Sequence, residues 1–400
     1  MKITRIDTIE FDDSFAMPGL LLVQVHTDED LTGTGETFYL PGTCAEAIHE
    51  FLAPRLLGGD PRRVTAHWTT IAKALQRFGG QGAEWRALSA IDVALWDIVG
   101  QAAGVPVYQL LGGAMRDGVR VYNTCGGPRY AHTRRGGAPG EGTANAAGKW
   151  DDLIAARTDA GALAEDLLSE GFRGMKIWPW DELAIRQGGA VIDADGIEEG
   201  LRSVRQVRDA VGDRIEIMIE GHGLWELGPA KRIASALEPF RPAWLEDLVL
   251  ADVRTLASLR ASTSIPVSAS EYLVNRAQFH AVMEARAADF LMIDPTWAGG
   301  VTESHRIAEL GDAYGLPVTF HDCTGPITLV AGIHLGMASP NAVYQEVVRA
   351  FLRTIYGELV TDLPQLDDGW IRPSGKPGLG TALNPDVARR PDVRVRSSAV

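Results

Sequence analysis

Residues 215–246 read IEIMIEGHGLWELGPAKRIASALEPFRPAWLE. An apolar run over 215–220 ends on Glu220. A Gly-His-Gly turn and an amphipathic stretch over 229–237 follow, and a second apolar run over 243–246 ends on Glu246. Two short apolar runs joined by an amphipathic segment predict a βαβ unit with parallel strands. The pattern extends in both directions. Strands are predicted at 119–124, 174–178, 215–220, 243–246, 266–270, 290–294, 317–321 and 343–346, with amphipathic segments at 197–211, 229–237, 301–314 and 327–337 among the connections. Eight is the number of parallel strands that closes a barrel.

Upstream the character differs. Residues 20–27 are apolar, Asp28-Glu29-Asp30 make a polar turn, and a second short run ends in Gly33-Thr34-Gly35-Glu36, which predicts a hairpin. Over 87–104, Leu88, Ile91, Leu95, Ile98 and Ala102 recur at helical spacing, and Gly104 and Pro106 stop that helix. The expected organisation is an α+β capping domain over 1–115, a (β/α) barrel over 116–365 and a tail over 366–400. That tail, with repeated Pro and Gly, is expected to pack back on the cap as irregular structure. The Gly/Ala-rich stretch 136–149 reads as a surface insertion in preference to a lid.

Composition bounds the function. The 400 residues are 46% hydrophobic and 22% charged, a globular balance that supports a buried core. A formal net charge of −14 argues against nucleic acid or membrane as partner, since both need a basic footprint. It leaves a small-molecule carboxylate open, because a local cation can dominate a pocket. Cys44, Cys125 and Cys323 have no metal-ligand spacing and no disulfide pattern. The N-terminus lacks an apolar leader and no apolar run reaches about 18 residues, so the expected location is cytoplasmic. Gly378-Leu379-Gly380 is a bare GxG with no helix behind it, and neither a Walker loop nor a nucleophile elbow occurs.

The strand ends carry the chemistry. In order they present Lys176, then Glu220 and His222, Glu246 and Asp247, Glu271, Asp294, His321 and Asp322, and Glu346. In a parallel barrel these positions converge on one face, where burying so many charges without a purpose would be costly. Any one acid alone would pass for a loop carboxylate. Three in succession, Glu220, Glu246 and Glu271, offer hard oxygen ligands that select Mg²⁺ or Mn²⁺ over zinc. Asp294 and His321 end adjacent strands, and a carboxylate beside an imidazole makes a general base; the alternative is a hydrogen-bonded structural histidine. Lys176 could bind a substrate carboxylate, act as a base, or bridge the acids. Glu346 is either a protonated donor to a substrate carboxylate or the partner of Arg349. His26, His49, His67 and His132 lack any comparable setting and read as surface or core residues.

With those residues in place, the chain resembles the enolase superfamily, and within it the mandelate racemase subgroup. SAIDVALWDIVGQAAGVPVYQLLGG (89–113) is similar to that family's junction between cap and barrel. GFRGMKIW, WLEDL, VSASE, MIDPTWAGG and HDCTGP are similar to its barrel-strand ends. The resemblance implies an α/β fold, a modified (β/α)7β TIM-type barrel under an N-terminal α+β cap. It implies Mg²⁺, with Mn²⁺ as a substitute, on Glu220, Glu246 and Glu271. It also implies His321 as base paired with Asp294, Glu346 as electrophilic helper, and a homo-oligomer, dimer or octamer. Phe15, Met17 and Tyr39 lie in segments similar to those covering the barrel mouth; they and Trp178 and Trp225 are expected to shape the substrate pocket or simply to pack.

Two departures narrow the chemistry. Trp178 stands where the subgroup often has a second lysine, so only Lys176 remains and proton transfer on a second face is weakened. Glu220-x-His222 stands where Asp-x-Asn is common, and the longer first ligand is expected to shift the metal. An Asp-x-His version occurs in sugar-acid dehydratases, with the histidine as acid for the leaving hydroxyl. The expected enzyme is therefore a hydro-lyase acting on an aldonate or aldarate. It would take the C2 proton and eliminate the 3-hydroxyl to give a 2-keto-3-deoxy acid, with His222 as acid and Lys176 on the carboxylate. A racemase or epimerase using His321 and Lys176 is the nearest alternative. A non-catalytic binding protein is a further one, opposed by the three acids and the Asp294/His321 pair.

Overall fold

The computed structural model describes residues 1–128 and 149–400. His132 and all but the last residue of the 136–149 stretch lie outside the described residues. The cap begins with β1 (Ile3–Phe11), β2 (Leu20–Thr27) and β3 (Thr32–Phe38), paired antiparallel, with the predicted hairpin between the last two. β3 packs directly on the Ala83–Ala103 helix. A Cβ at Gly33 would fall 2.0 Å from Ala94 O, and one at Gly35 only 1.9 Å from Ala90 O. The Gly-x-Gly of the hairpin is therefore what lets strand and helix backbones touch. Gly104, in the left-handed region at φ 69°, ends that helix where the sequence predicted.

The barrel strands are β4 (Val119–Thr124), β5 (Gly174–Ile177), β6 (Glu216–Glu220), β7 (Trp244–Glu246), β8 (Val267–Ala269), β9 (Phe290–Ile293), β10 (Val318–Phe320) and β11 (Ala342–Val347). Each pairs parallel with the next, and β11 pairs parallel with β4, closing the ring. Helices fill the seven crossovers. Alternate residues on each strand face inward. Tyr122, Met218, Trp244 and Met292 form a buried cluster with Phe290 and Tyr344 packed against it. Their neighbours Val121, Ile217, Ile219, Leu245, Leu291 and Ile293 belong instead to the layer shared with the helices. Gly174 is needed because a Cβ there would come within 2.8 Å of Tyr122 and 2.9 Å of Met218. Two residues beyond Met218, Trp244, Met292 and Tyr344, on the same inward side, come Glu220, Glu246, Asp294 and Glu346. An apolar plug thus lies under the charged layer and lowers its local dielectric.

The tail departs from the expected irregular structure. β12 (Gln365–Asp367) and β13 (Trp370–Arg372) form a hairpin, with β13 antiparallel to β4. β14 (Val393–Ala399) adds to the cap sheet beside β1, in register from Phe11↔Val393 to Arg5↔Ala399. VRVRSSA has strand alternation, with Arg394 on Glu10 at 2.6 Å and Arg396 on Glu46 and Glu50 at 2.7 and 2.8 Å. The Pro/Gly punctuation before it masked that short period-2 signal. Among the described residues no helix is long and apolar enough to cross a membrane.

Two buried cap acids hold barrel helices, and a third ties the cap to the tail. Glu36 accepts from Thr328 N (2.6 Å) in the first turn of the Pro326–Ala338 helix, and Asp92 accepts from Thr302 N (2.9 Å) and Oγ1 (2.7 Å) in the first turn of the Gly300–Ala313 helix. Asp97 accepts from Thr34 N (3.0 Å) and Leu379 N (2.9 Å), tying hairpin, helix and tail together. Burial pushes the Asp92 carboxyl up to about 7, against the hydrogen bonds from Thr302. The native protein then holds a proton that the unfolded chain releases above about pH 4. The stability this represents is present below that pH and is lost as pH rises towards 7. Asp92→Asn removes the titration. Its unfolding free energy relative to wild type should climb by up to about 1.4 kcal/mol per pH unit from pH 5 to 7 in denaturant melts. A difference that stays flat with pH would contradict this.

Candidate active site

The predicted acids do meet. Glu220, Glu246 and Glu271 are all buried, and one oxygen of each lies within 4.8 Å of those of the others. Lys176 reaches into the same layer, 3.1 Å from Glu220 Oε2, 2.5 Å from Glu246 Oε1 and 2.9 Å from Glu346 Oε1. Glu220 turns its other oxygen back to the N–H groups of Gly221 (3.0 Å) and His222 (2.8 Å), while Trp244 Nε1 donates to Glu246 Oε2 at 2.8 Å. Glu220 and Glu246 are therefore each oriented by a second bond. Burial pushes the Glu246 carboxyl up to about 7; Lys176 opposes this and the charges of Glu220 and Glu271 add to it. Burial, with the same neighbouring acids, also holds Asp247 well above the carboxylate range. Of the buried carboxyls in this layer, Glu220, Glu246 and Glu346 share one ammonium. Three hard oxygen donors in convergent positions fit a divalent cation of the Mg²⁺ type.

Arg349 does not pair with Glu346. It turns away to Asp152 (2.6 Å), Asp166 (2.6 Å) and Glu170 (2.9 Å), and the cation beside Glu346 is Lys176 instead. Glu346 Oε2 accepts from Asp322 N at 3.2 Å and lies 3.7 Å from His321 Nε2.

His321 and Asp294 form the expected pair. The imidazole Nδ1 donates to Asp294 Oδ2 at 2.8 Å, and Nε2 lies 2.8 Å from Glu271 Oε2. Asp294 is held in turn by Thr296 N (2.7 Å), Thr296 Oγ1 (2.8 Å) and Thr324 Oγ1 (3.0 Å). Burial alone would lower the imidazole pKa; the charges of Glu271 and Glu346 and the bond to Asp294 override it and hold His321 protonated well above its ordinary range. Conversely, although burial works the other way, the His321 cation keeps Glu271 below the usual carboxylate range.

His222 sits at the end of β6 with φ 46°, in the left-handed region that a histidine adopts at a cost of about 1–2 kcal/mol. Its Nδ1 lies 2.6 Å from Asp181 Oδ2, and its ring meets Trp178 edge-on at 5.0 Å. His222 N donates to Glu220 Oε1 at 2.8 Å and His321 Nε2 lies 2.8 Å from Glu271 Oε2, so both residues border the acid layer. Trp225 is buried in the 221–226 turn, its Nε1 without a partner among the described residues. Tyr39 joins the base side through Trp297 at 5.4 Å. Phe15 instead stacks on Phe11 at 4.2 Å beneath Arg390, and Met17 is fully buried in the common core.

Sequence reasoning missed Asp181, Trp297 and Arg86. Asp181 opens the helix just past Trp178-Pro179-Trp180, and an acid so soon after a barrel strand was a usable signal. Trp297 lies 5.0 Å from the His321 ring, within MIDPTWAGG, where the aromatic could have been read as a wall. Arg86 gave no local signal.

A direct check of the acid layer is thermal. Metal-free protein titrated with Mg²⁺ should show a saturable rise in melting temperature of a few degrees. Occupancy at about 100-fold over Kd adds about 2.7 kcal/mol. Glu246→Gln should lose most of that rise. An equal rise in both proteins would place the ion elsewhere.

Comparison with known proteins agrees with this geometry. Residues 159–387 match the family model described as enolase C-terminal domain-like, and residues 14–112 match that of the mandelate racemase / muconate lactonizing enzyme N-terminal domain. The chain is 34% identical over 393 residues to a D-galactonate dehydratase of Ralstonia pickettii (strain 12J), covering 96% of this chain and 92% of that protein. It superimposes with a TM-score of 0.87 and 38% identity on a crystal structure of an enolase of the mandelate racemase subgroup from Agrobacterium tumefaciens, covering 100% and 99% of the two chains. An enolase protein from environmental sequencing of the Sargasso Sea gives a TM-score of 0.88 at 38% identity, with the same coverage.

Proposed function

We infer, because the chain belongs to the mandelate racemase/muconate lactonizing enzyme family of the enolase superfamily, that its reaction begins with removal of the proton α to a substrate carboxylate. The substrate is an acid sugar, and the outcome is dehydration to a 2-keto-3-deoxy acid. The observation that carries this reading is the presence of two histidines of different setting at one acid layer. His321 is backed by Asp294 and His222 by Asp181. The D-galactonate dehydratases among the relatives support the same reaction class.

Glu220, Glu246 and Glu271 would hold Mg²⁺. When bound, the ion supplies positive charge to the substrate carboxylate and cancels the carboxylate field that keeps His321 protonated. Lys176 and Glu346, 2.9 Å apart, receive the carboxylate. His321 Nε2 takes the C2 proton while Nδ1 stays on Asp294, so the ring keeps one tautomer. The electron pair of the C2–H bond passes into the carboxylate. It returns to form C2=C3 as the C3–O bond breaks, and His222 gives its proton so that the hydroxyl leaves as water. The enol left at C2 then tautomerises to the ketone. Lys176 is engaged by three carboxylates and burial is overridden by their charges, which hold it well above its ordinary pKa. Those contacts give it the role of a binding group, and Trp178 in place of a second lysine weakens proton transfer on a second face, which favours dehydration over epimerisation.

Purified protein with Mg²⁺ and a panel of aldonates and aldarates, followed by proton NMR in D₂O, tests the reading. A 2-keto-3-deoxy product supports it. Deuterium at C2 without keto acid would make the protein an epimerase, and no change in any substrate would make it a binding protein.

A further inference from the structure

Arg86 has a cation's charge and no ion-paired acid among the described residues. It lies in the first turn of the Ala83–Ala103 helix of the cap. The side chain is sunk among protein atoms yet keeps part of its surface in contact with solvent. Of its five N–H donors, one goes to Phe38 O at 3.1 Å. Its guanidinium carbon stands 4.0 Å over the Trp297 ring and 5.2 Å from that of Tyr39. No carboxylate among the described residues forms an ion pair with it, and Asp294 and Glu271 act on it only at longer range.

Stacking on aromatic rings offsets the loss of hydration only in part, by about 0.5–2 kcal/mol. A guanidinium resting over a ring still has N–H donors to offer a planar bidentate acceptor, and the carboxylate is the acceptor that fits that fork. Position then says what carries that carboxylate. Trp297 touches both Arg86, at 4.0 Å, and His321, at 5.0 Å between rings. Arg86 is thus one ring removed from the proposed base, on the cap side of the mouth. The reacting carboxylate belongs to the acid layer with Lys176, which already has its own cation. A second cation beyond the base has work only if the substrate has a second anionic end.

We propose that Arg86 binds the distal carboxylate of a sugar diacid, so that the preferred substrate is an aldarate and not the aldonate of the same configuration. This rests on the dehydratase reading above and narrows it. Trp297 and Tyr39 act as positioning residues that hold the fork open to the cleft.

The test compares wild type, Arg86→Met and Arg86→Lys on a hexarate and on the hexonate matching it from C1 to C5. Wild type should favour the diacid. Arg86→Met keeps the stacked stem and removes the charge. It should lower kcat/KM for the diacid by about 10- to 100-fold, mainly through KM, the scale of a lost charge-assisted hydrogen bond, and leave the hexonate within about threefold. Arg86→Lys should recover part of the loss. An equal fall for both acids, or a wild-type preference for the hexonate, overturns the proposal. If wild type turns over neither acid, the dehydratase reading fails, and Arg86 is then judged by melting temperature: stabilisation by the hexarate in wild type but not in Arg86→Met supports it, and equal stabilisation overturns it.

Discussion

His321→Ala will abolish dehydration and C2 proton exchange together, each by about 10²–10⁴-fold or more, while the protein stays folded. The size is that of a general base. The coupling of the two losses follows from order, since no later step can occur if the C2 proton stays. Survival of the fold follows from the second layer. Without the imidazole, Asp294 still accepts from Thr296 N, Thr296 Oγ1 and Thr324 Oγ1, so the substitution does not strand a buried carboxylate without donors. His321→Asn is the sharper variant. It can still donate towards Asp294 but has no basic nitrogen to face the substrate. Solvent-deuterium incorporation at C2, read by proton NMR beside a thermal melt, separates the cases. Exchange within tenfold of wild type in a folded His321→Asn would remove the residue from its role.

Much of this site was legible because a barrel translates sequence into space simply. Where a strand's apolar run stops, its next inward residue points to the mouth, so Glu220, Glu246, Asp294, His321 and Glu346 could be read from the ends of eight runs. What could not be read belongs to contacts between units. Asp92 and Asp97 in SAIDVALWD look like the polar face of an amphipathic helix. Both are buried acceptors, one for the first turn of a barrel helix and the other for the hairpin and tail. Arg86 gave no signal for the same reason, since its meaning comes from Trp297, more than 200 residues on by the numbering. β14 was lost among prolines and glycines although VRVRSSA alternates, because a lone strand shows its purpose only beside β1.

His222→Ala separates the two proton transfers that His321→Ala stops at once. Dehydration should fall by about 10²–10⁴-fold, the worth of a general acid, while exchange of the C2 proton continues near the wild-type rate. The residue's backbone complicates the choice of variant. His222 N donates to Glu220 Oε1 at 2.8 Å from a φ of 46°, and alanine tolerates that conformation no better than histidine. Asparagine visits the left-handed region more readily, so His222→Asn preserves the turn that orients Glu220 while removing the acid. If both variants dehydrate at the wild-type rate, the leaving hydroxyl takes its proton elsewhere. If both lose exchange as fully as dehydration, the damage has reached the acid layer. Asp181→Asn then decides between these outcomes. It weakens the grip on Nδ1, 2.6 Å away, without touching the Glu220 turn, and so should slow elimination while leaving both exchange and the Mg²⁺-dependent melting shift in place.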